Sequence, residues 1–70
     1  MLRLTKEREE KGWSRSELAR RARMTPATVG QIEAGRFVPY DSQLRKLARA
    51  LGVPPHDASR LLEDAAPDAA

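Results

Sequence analysis

Residues 14–35 read Ser-Arg-Ser-Glu-Leu-Ala-Arg-Arg-Ala-Arg-Met-Thr-Pro-Ala-Thr-Val-Gly-Gln-Ile-Glu-Ala-Gly. The pattern predicts two short helices joined by a tight turn. Ser14 can cap the first, and Glu17 three residues later completes a capping box that satisfies two orphan backbone donors reciprocally. Leu18, Ala19 and Ala22 then form a narrow apolar stripe, with Arg20 and Arg21 outside it. Arg23 and Met24 break the pattern. Thr25 is a good N-cap, and Pro26 falls at the first helical position, where its missing N–H costs nothing. The second helix turns Val29 and Ile32 inward, and Gly35 stops it. Its other face, Ala27, Gly30, Gln31 and Ala34, is small or uncharged. A solvated face would normally carry Lys and Glu; a face that lies against another surface has this composition instead.

Outward from this stretch, residues 2–11 read as a polar first helix ended by Gly12. After Gly35, the Arg-Phe-Val-Pro loop leads to Pro39, which blocks helix continuation and holds the next start near Asp41, a cap or first-turn acid. A fourth helix to Leu51 places Leu44, Leu47, Ala48 and Leu51 on one face, with Gly52 as its stop. Pro54 and Pro55 punctuate, and a last short helix carries Leu61 and Leu62. The chain is expected to be all-α, with one domain over 1–63 and a short flexible tail over 64–70.

Seventy residues allow one small domain whose core is marginal in size. The absence of cysteine excludes disulfides and thiolate metal sites and is compatible with a reducing cytoplasm. No apolar run approaches the ~20 residues of a membrane span. The net charge of +3 favours an acidic partner. It is unevenly placed: residues 1–52 hold twelve Lys/Arg against six Asp/Glu, whereas 53–70 hold one against four. The basic part contains the helix–turn–helix stretch.

Catalytic and metal chemistry find no support. The single histidine, His56, stands beside Asp57, and such a pair does not make a metal site. There is no glycine-rich phosphate loop and no nucleophile with a base partner, and the serines and threonines sit at helix starts, where capping explains them. The expectation is a non-enzyme with no cofactor and no metal.

The ordered set Arg8, Gly12, Ser14 to Ala19, Thr25 to Glu33, Gly35, Pro39 and the Leu44-x-x-Leu-Ala-x-x-Leu-Gly-Val run ending at Val53 resembles the Cro and lambda-repressor-like family, the xenobiotic-response-element regulators. The resemblance spans roughly residues 2–63. It implies a compact five-helix lambda-repressor-like domain that places its third helix, about 26–34, in the DNA major groove. It also implies a pair between Arg8 and Glu33 that ties helix one to the end of helix three. Arg15 stands where the family contacts a phosphate, usually through glutamine, and Arg36 where it sets a cation against the backbone. Two positions depart from the pattern. Glu7 replaces an apolar residue, so Trp13 must supply much of the buried area there. Arg23 stands at a left-handed turn position usually held by glycine, at a cost of roughly 1–2 kcal/mol.

On this reading Thr25, Pro26 and Ala27 meet the groove first. Proline and alanine can pack on a thymine methyl, and Thr28 can reach a phosphate or a methyl. Gln31 is suited to bidentate adenine recognition. Direct readout is sparse, leaving room for DNA shape. The expected function is sequence-specific binding of double-stranded DNA by a transcriptional regulator, a repressor. The expected setting is a bacterial or phage-encoded protein in the cytoplasm, on the nucleoid when bound. A palindromic operator and a homodimer formed at least on DNA follow from the small readout, with Phe37 and Val38 as the dimer contact; alternatively Phe37 folds back onto helix four or Trp13. Two other readings of the same fold stay open: a DNA-binding antitoxin with a toxin partner, and a protein-binding adaptor without DNA binding.

Overall fold

The computed structural model describes residues 1–65. Its elements in chain order are α1 (Arg3–Glu10), α2 (Arg15–Ala22), α3 (Pro26–Glu33), α4 (Asp41–Leu51) and a terminal 3-10 helix (Pro55–Leu62). The apolar spacings read from the sequence meet in one core: Leu4, Leu18, Val29, Ile32, Leu47 and Leu61 are fully buried, with Ala19, Ala48 and Leu51 between them. The three alanines of the α2 and α4 seams, Ala19, Ala22 and Ala48, leave room for close helix approach, and α2 packs against both α3 and α4. The last element is a 3-10 helix rather than an α-helix. Pro54 and Pro55 remove two amide donors at its start, and its tighter winding still buries Ala58 and Leu61.

The four α-helices end alike. In each, the amide of the residue after the left-handed one donates to a carbonyl five residues back: Trp13 to Arg8, Met24 to Ala19, Arg36 to Gln31 and Val53 to Ala48. The left-handed residues are Gly12, Arg23, Gly35 and Gly52. Three are glycine; Arg23 adopts φ 58° and ψ 47° with a side chain in place. The turn geometry is therefore kept and the strain is carried, since non-glycine residues enter this region at a cost. The residue after each turn packs on the core in three cases, Trp13, Met24 and Val53. At the end of α3 that place is held by exposed Arg36.

Local contacts refine these expectations. The Ser14 cap forms, its Oγ accepting the Glu17 amide at 3.0 Å, but the reciprocal half of the box does not. Glu17 turns its carboxylate to Arg20 and Arg21 instead, where two cations compete successfully with one backbone amide. Helix α4 is capped at Tyr40, where Gln43 Oε1 accepts the Tyr40 amide at 2.8 Å, and Asp41 takes the second of its two expected roles as the first-turn acid. Trp13 is half-buried, its ring covered by the guanidinium of Arg21 at 4.3 Å and the Lys11 ammonium at 5.6 Å. The chain also stays ordered past 63. Arg3 donates to Glu63 O and Ala65 to Met1 O, both at 2.8 Å, and Leu2 bridges Asp64 in antiparallel fashion. Of the tail expected over 64–70, only Asp64 and Ala65 are among the described residues; the rest lies outside them.

Candidate nucleic-acid interface

Helix α3 starts at Thr25, whose Oγ1 accepts the Thr28 amide at 3.2 Å and lies 2.9 Å from the Thr28 hydroxyl. The second contact holds Thr28 against the cap and half-buries it, so its hydroxyl is shared with Thr25. Pro26 occupies the first turn, and Val29 and Ile32 anchor the helix in the core. With that face fixed, Ala27, Gln31 and Ala34 are left exposed at i, i+4 and i+7. Gln31 is the only long side chain among them. Arg36 follows just past the helix, also exposed.

The inner edge of α3 is held by Glu33. Its side chain is 2% exposed and receives Arg8 through Nε at 2.8 Å and Nη2 at 3.2 Å, a bidentate pair. Arg8 uses its remaining nitrogen, Nη1, on the Trp13 carbonyl at 2.7 Å. The guanidinium is thus satisfied on both sides although it is itself buried. The hydrogen bonds that Arg8 donates to Glu33 raise its pKa above the already high ordinary value, against the opposing effect of burial, so the charge is fixed.

Arg15 joins the same carboxylate, which the sequence reading missed. Its Nε lies 3.2 Å from Glu33 Oε1, yet its side chain remains 60% exposed. Its stem passes over Gly30: a Cβ built at that glycine would meet Arg15 Cδ at 3.9 Å. No local signal could have found it, because Arg15 and Glu33 are eighteen residues apart and meet only when α2 packs on α3. One buried acid therefore gathers α1, α2 and α3, and the last of its arginines emerges on the α3 side of the molecule.

Of the residues read from the sequence, Arg15, Thr25, Pro26, Ala27, Gln31 and Arg36 are exposed and Thr28 half-buried. Phe37 and Val38 are separated. Phe37 is half-buried against the core, and its ring meets Tyr40 edge-on at 6.3 Å. Val38 is 78% and Tyr40 72% exposed. Tyr40 was not foreseen, because its place as the α4 cap could not be read from its type. His56 and Asp57 lie 3.6 Å apart near the surface. Among the described residues no group of three or more His, Cys, Asp or Glu could hold a metal ion, and no helix is long and apolar enough to cross a membrane. The geometry offers hydrogen-bond donors and cations around a small uncharged helix face.

Comparison with known proteins agrees with that geometry. Residues 2–61 match the model of a helix-turn-helix domain family. The chain belongs to this helix-turn-helix family. The helix-turn-helix proteins similar to it include an uncharacterised HTH-type transcriptional regulator of Mycobacterium tuberculosis, Rv0023, 37% identical over 62 residues. That alignment covers 89% of this chain and 24% of the mycobacterial protein. Multiprotein-bridging factor 1 of Schizosaccharomyces pombe is 38% identical over 50 residues, covering 71% of this chain and 34% of the yeast protein. The chain thus spans about a third or less of the curated relatives it matches. No solved structure gives a significant match. The expected all-α, helix-turn-helix fold holds, and the resemblance to the xenobiotic-response-element regulators holds at the level of this motif.

Proposed function

We propose that this helix-turn-helix domain binds double-stranded DNA in a sequence-dependent way and regulates transcription, as a repressor where its site overlaps a promoter. Helix α3 enters the major groove. One observation carries the reading: the outward face of α3 presents Ala27, Gln31 and Ala34 without a charge, while exposed Arg15 and Arg36 flank it. Such a face suits base edges, and its flanking cations suit phosphates. Gln31 reads an adenine through its amide, Pro26 and Ala27 pack on methyl groups, and Thr25 and Thr28 contribute near the helix start. Arg15 and Arg36 neutralise phosphates and set the register. Similarity to an HTH-type transcriptional regulator supports the regulatory role.

The proposal extends to a twofold-symmetric operator occupied by two copies, with Phe37 and Val38 near the contact between them, and to action in the cytoplasm. Selection of bound duplexes from a random pool tests the reading as a whole. The expected product is a pair of twofold-related half-sites, each with a fixed A·T pair. A pool that shows no enrichment would contradict it.

A second reading, a protein-binding adaptor, draws on one observation: a relative is named a multiprotein-bridging factor. Salt separates the two, since DNA affinity falls steeply with ionic strength and an apolar protein contact does not.

A further inference from the structure

The end of α2 away from Arg15 carries a second basic feature. Arg21, Ala22 and Arg23 from that end, with Lys46 and Arg49 from α4, line an open groove of about 390 Å³. No carboxylate lines it. Arg21 is partly engaged, its Nε lying 2.6 Å from Glu17 and its guanidinium stacked on Trp13. Arg23, Lys46 and Arg49 have no ion-pair partner among the described residues. Cations gathered in a cleft without counter-charges raise the local potential and repel one another, which an anionic partner reverses. Arg23, the one non-glycine residue with positive φ among the described residues, is one of them. Glycine would relieve the strain there but would remove a charge from the groove.

The groove adjoins the start of α3 through Arg23, two residues before Thr25, and extends from there along α4 to Lys46 and Arg49, beyond the positions proposed for DNA contact. The proposed DNA-facing edge is marked by Arg15 at the start of α2 and by Arg36 just before α4. Arg21 and Arg23 come six and eight residues after Arg15, and Lys46 and Arg49 five and eight residues after the start of α4. At 1.5 Å per residue each helix carries its groove residues roughly 7–12 Å from the end nearest that edge.

The chemistry of the groove also restricts how an anion can be held. It sits at a helix C-terminus, which offers no free amides and whose dipole opposes any anion, so an anion here is held by the side-chain cations alone. The nearby amides of Arg23 and Met24 are spent on the carbonyls of Arg20 and Ala19. What remains is a spread of long cationic side chains around the small side chain of Ala22. We propose that this groove binds an acidic segment of a partner protein, with carboxylates spaced along an extended chain, while the α3 face stays free for DNA.

The test uses a fluorescein-labelled oligoglutamate peptide, a random-sequence duplex and inorganic phosphate as separate probes at matched ionic strength. The expected result is that Lys46→Ala with Arg49→Ala weakens peptide binding by about tenfold and leaves the salt slope for the duplex unchanged. Arg15→Ala should do the reverse. Arg23→Gly should weaken the peptide while raising the melting temperature, which separates loss of charge from loss of fold. Three results would overturn the proposal: equal loss of peptide binding in Arg15→Ala, a duplex slope lowered by the α4 pair, or displacement of the peptide by phosphate. Unchanged peptide binding in Arg23→Gly and in the α4 pair would do so as well. The peptide arm does not depend on the DNA reading and stands if the duplex fails to bind.

Discussion

Arg23 holds the left-handed turn between α2 and α3 at φ 58°. Replacing it by glycine removes the Cβ clash, roughly 1–2 kcal/mol, and restores some unfolded-state entropy, about 0.4–1 kcal/mol in the opposite sense. Arg23→Gly should therefore stabilise the fold by about 0.5–1 kcal/mol, read from denaturant unfolding; a destabilised variant would mean that the arginine side chain holds the turn. At the positions proposed to face phosphates, Arg15→Ala and Arg36→Ala should weaken binding to all duplexes alike, each lowering the salt slope by about 1. An unchanged slope in either variant removes that arginine from the phosphate contacts. The two differ in one respect. Arg15 shares Glu33 with Arg8, so its loss also relieves that carboxylate of one partner, whereas Arg36 is bound by no such clasp.

Among the elements, α1, α2 and α3 converge on Glu33. Truncating it strands Arg8, a buried cation, and removing one partner of a buried pair costs more than the pair contributes. A double-mutant cycle on Arg8→Ala and Glu33→Ala should return a coupling of about 1–3 kcal/mol, with half-site preference unchanged. Additive losses would reduce the clasp to two independent packing effects. Helix α2 carries the acid-sensitive contact. Hydrogen bonds from Arg20 and then Arg21 hold the Glu17 carboxylate below its ordinary pKa, and the site is well solvated. The stability it supplies is present above the unfolded-state value of ~4.3 and is lost as pH falls through the lower folded-state value. Glu17→Gln should flatten the melting temperature against pH in that acid window; an identical profile would show that solvent screens the contact.

These elements also show what the sequence could and could not reveal. The seams of α2, α3 and α4 were legible because each apolar position repeats at helical spacing, as with Leu18 and Ala22 or Leu44, Leu47 and Leu51. The Arg8–Glu33 pair came from family resemblance, since residues so far apart leave no local signal. Glu17 was misread because a capping box and an i, i+4 ion pair use the same acid, and only the geometry of Arg20 and Arg21 decides between them. The groove of α2 and α4 escaped notice for the same reason as the third arm of the clasp: its cations are distant in sequence and meet only when the helices pack.

Over the whole molecule the Cα extents are 35 × 24 × 23 Å. Half-sites one helical turn apart place two copies about 34 Å from centre to centre. Neighbours on one duplex face then meet only with their long axes along the DNA, so any contact between them is small. Phe37 is packed on the core, which leaves exposed Val38 as the cleaner probe. Val38→Ser should fold normally and bind a single half-site as the parent does, while losing cooperativity on the full palindrome. Retained cooperativity would move the contact elsewhere.

On the proposed reading the charge asymmetry brings DNA to the domain, and specificity rests on the face of α3, and there on Gln31. The decisive measurement is the affinity of the parent and of Gln31→Ala for the selected site and for its single base-pair substitutions. The account predicts that the variant loses about 1–3 kcal/mol of discrimination at one A·T position and keeps its non-specific affinity. A variant with the same site preference as the parent at every position would contradict it.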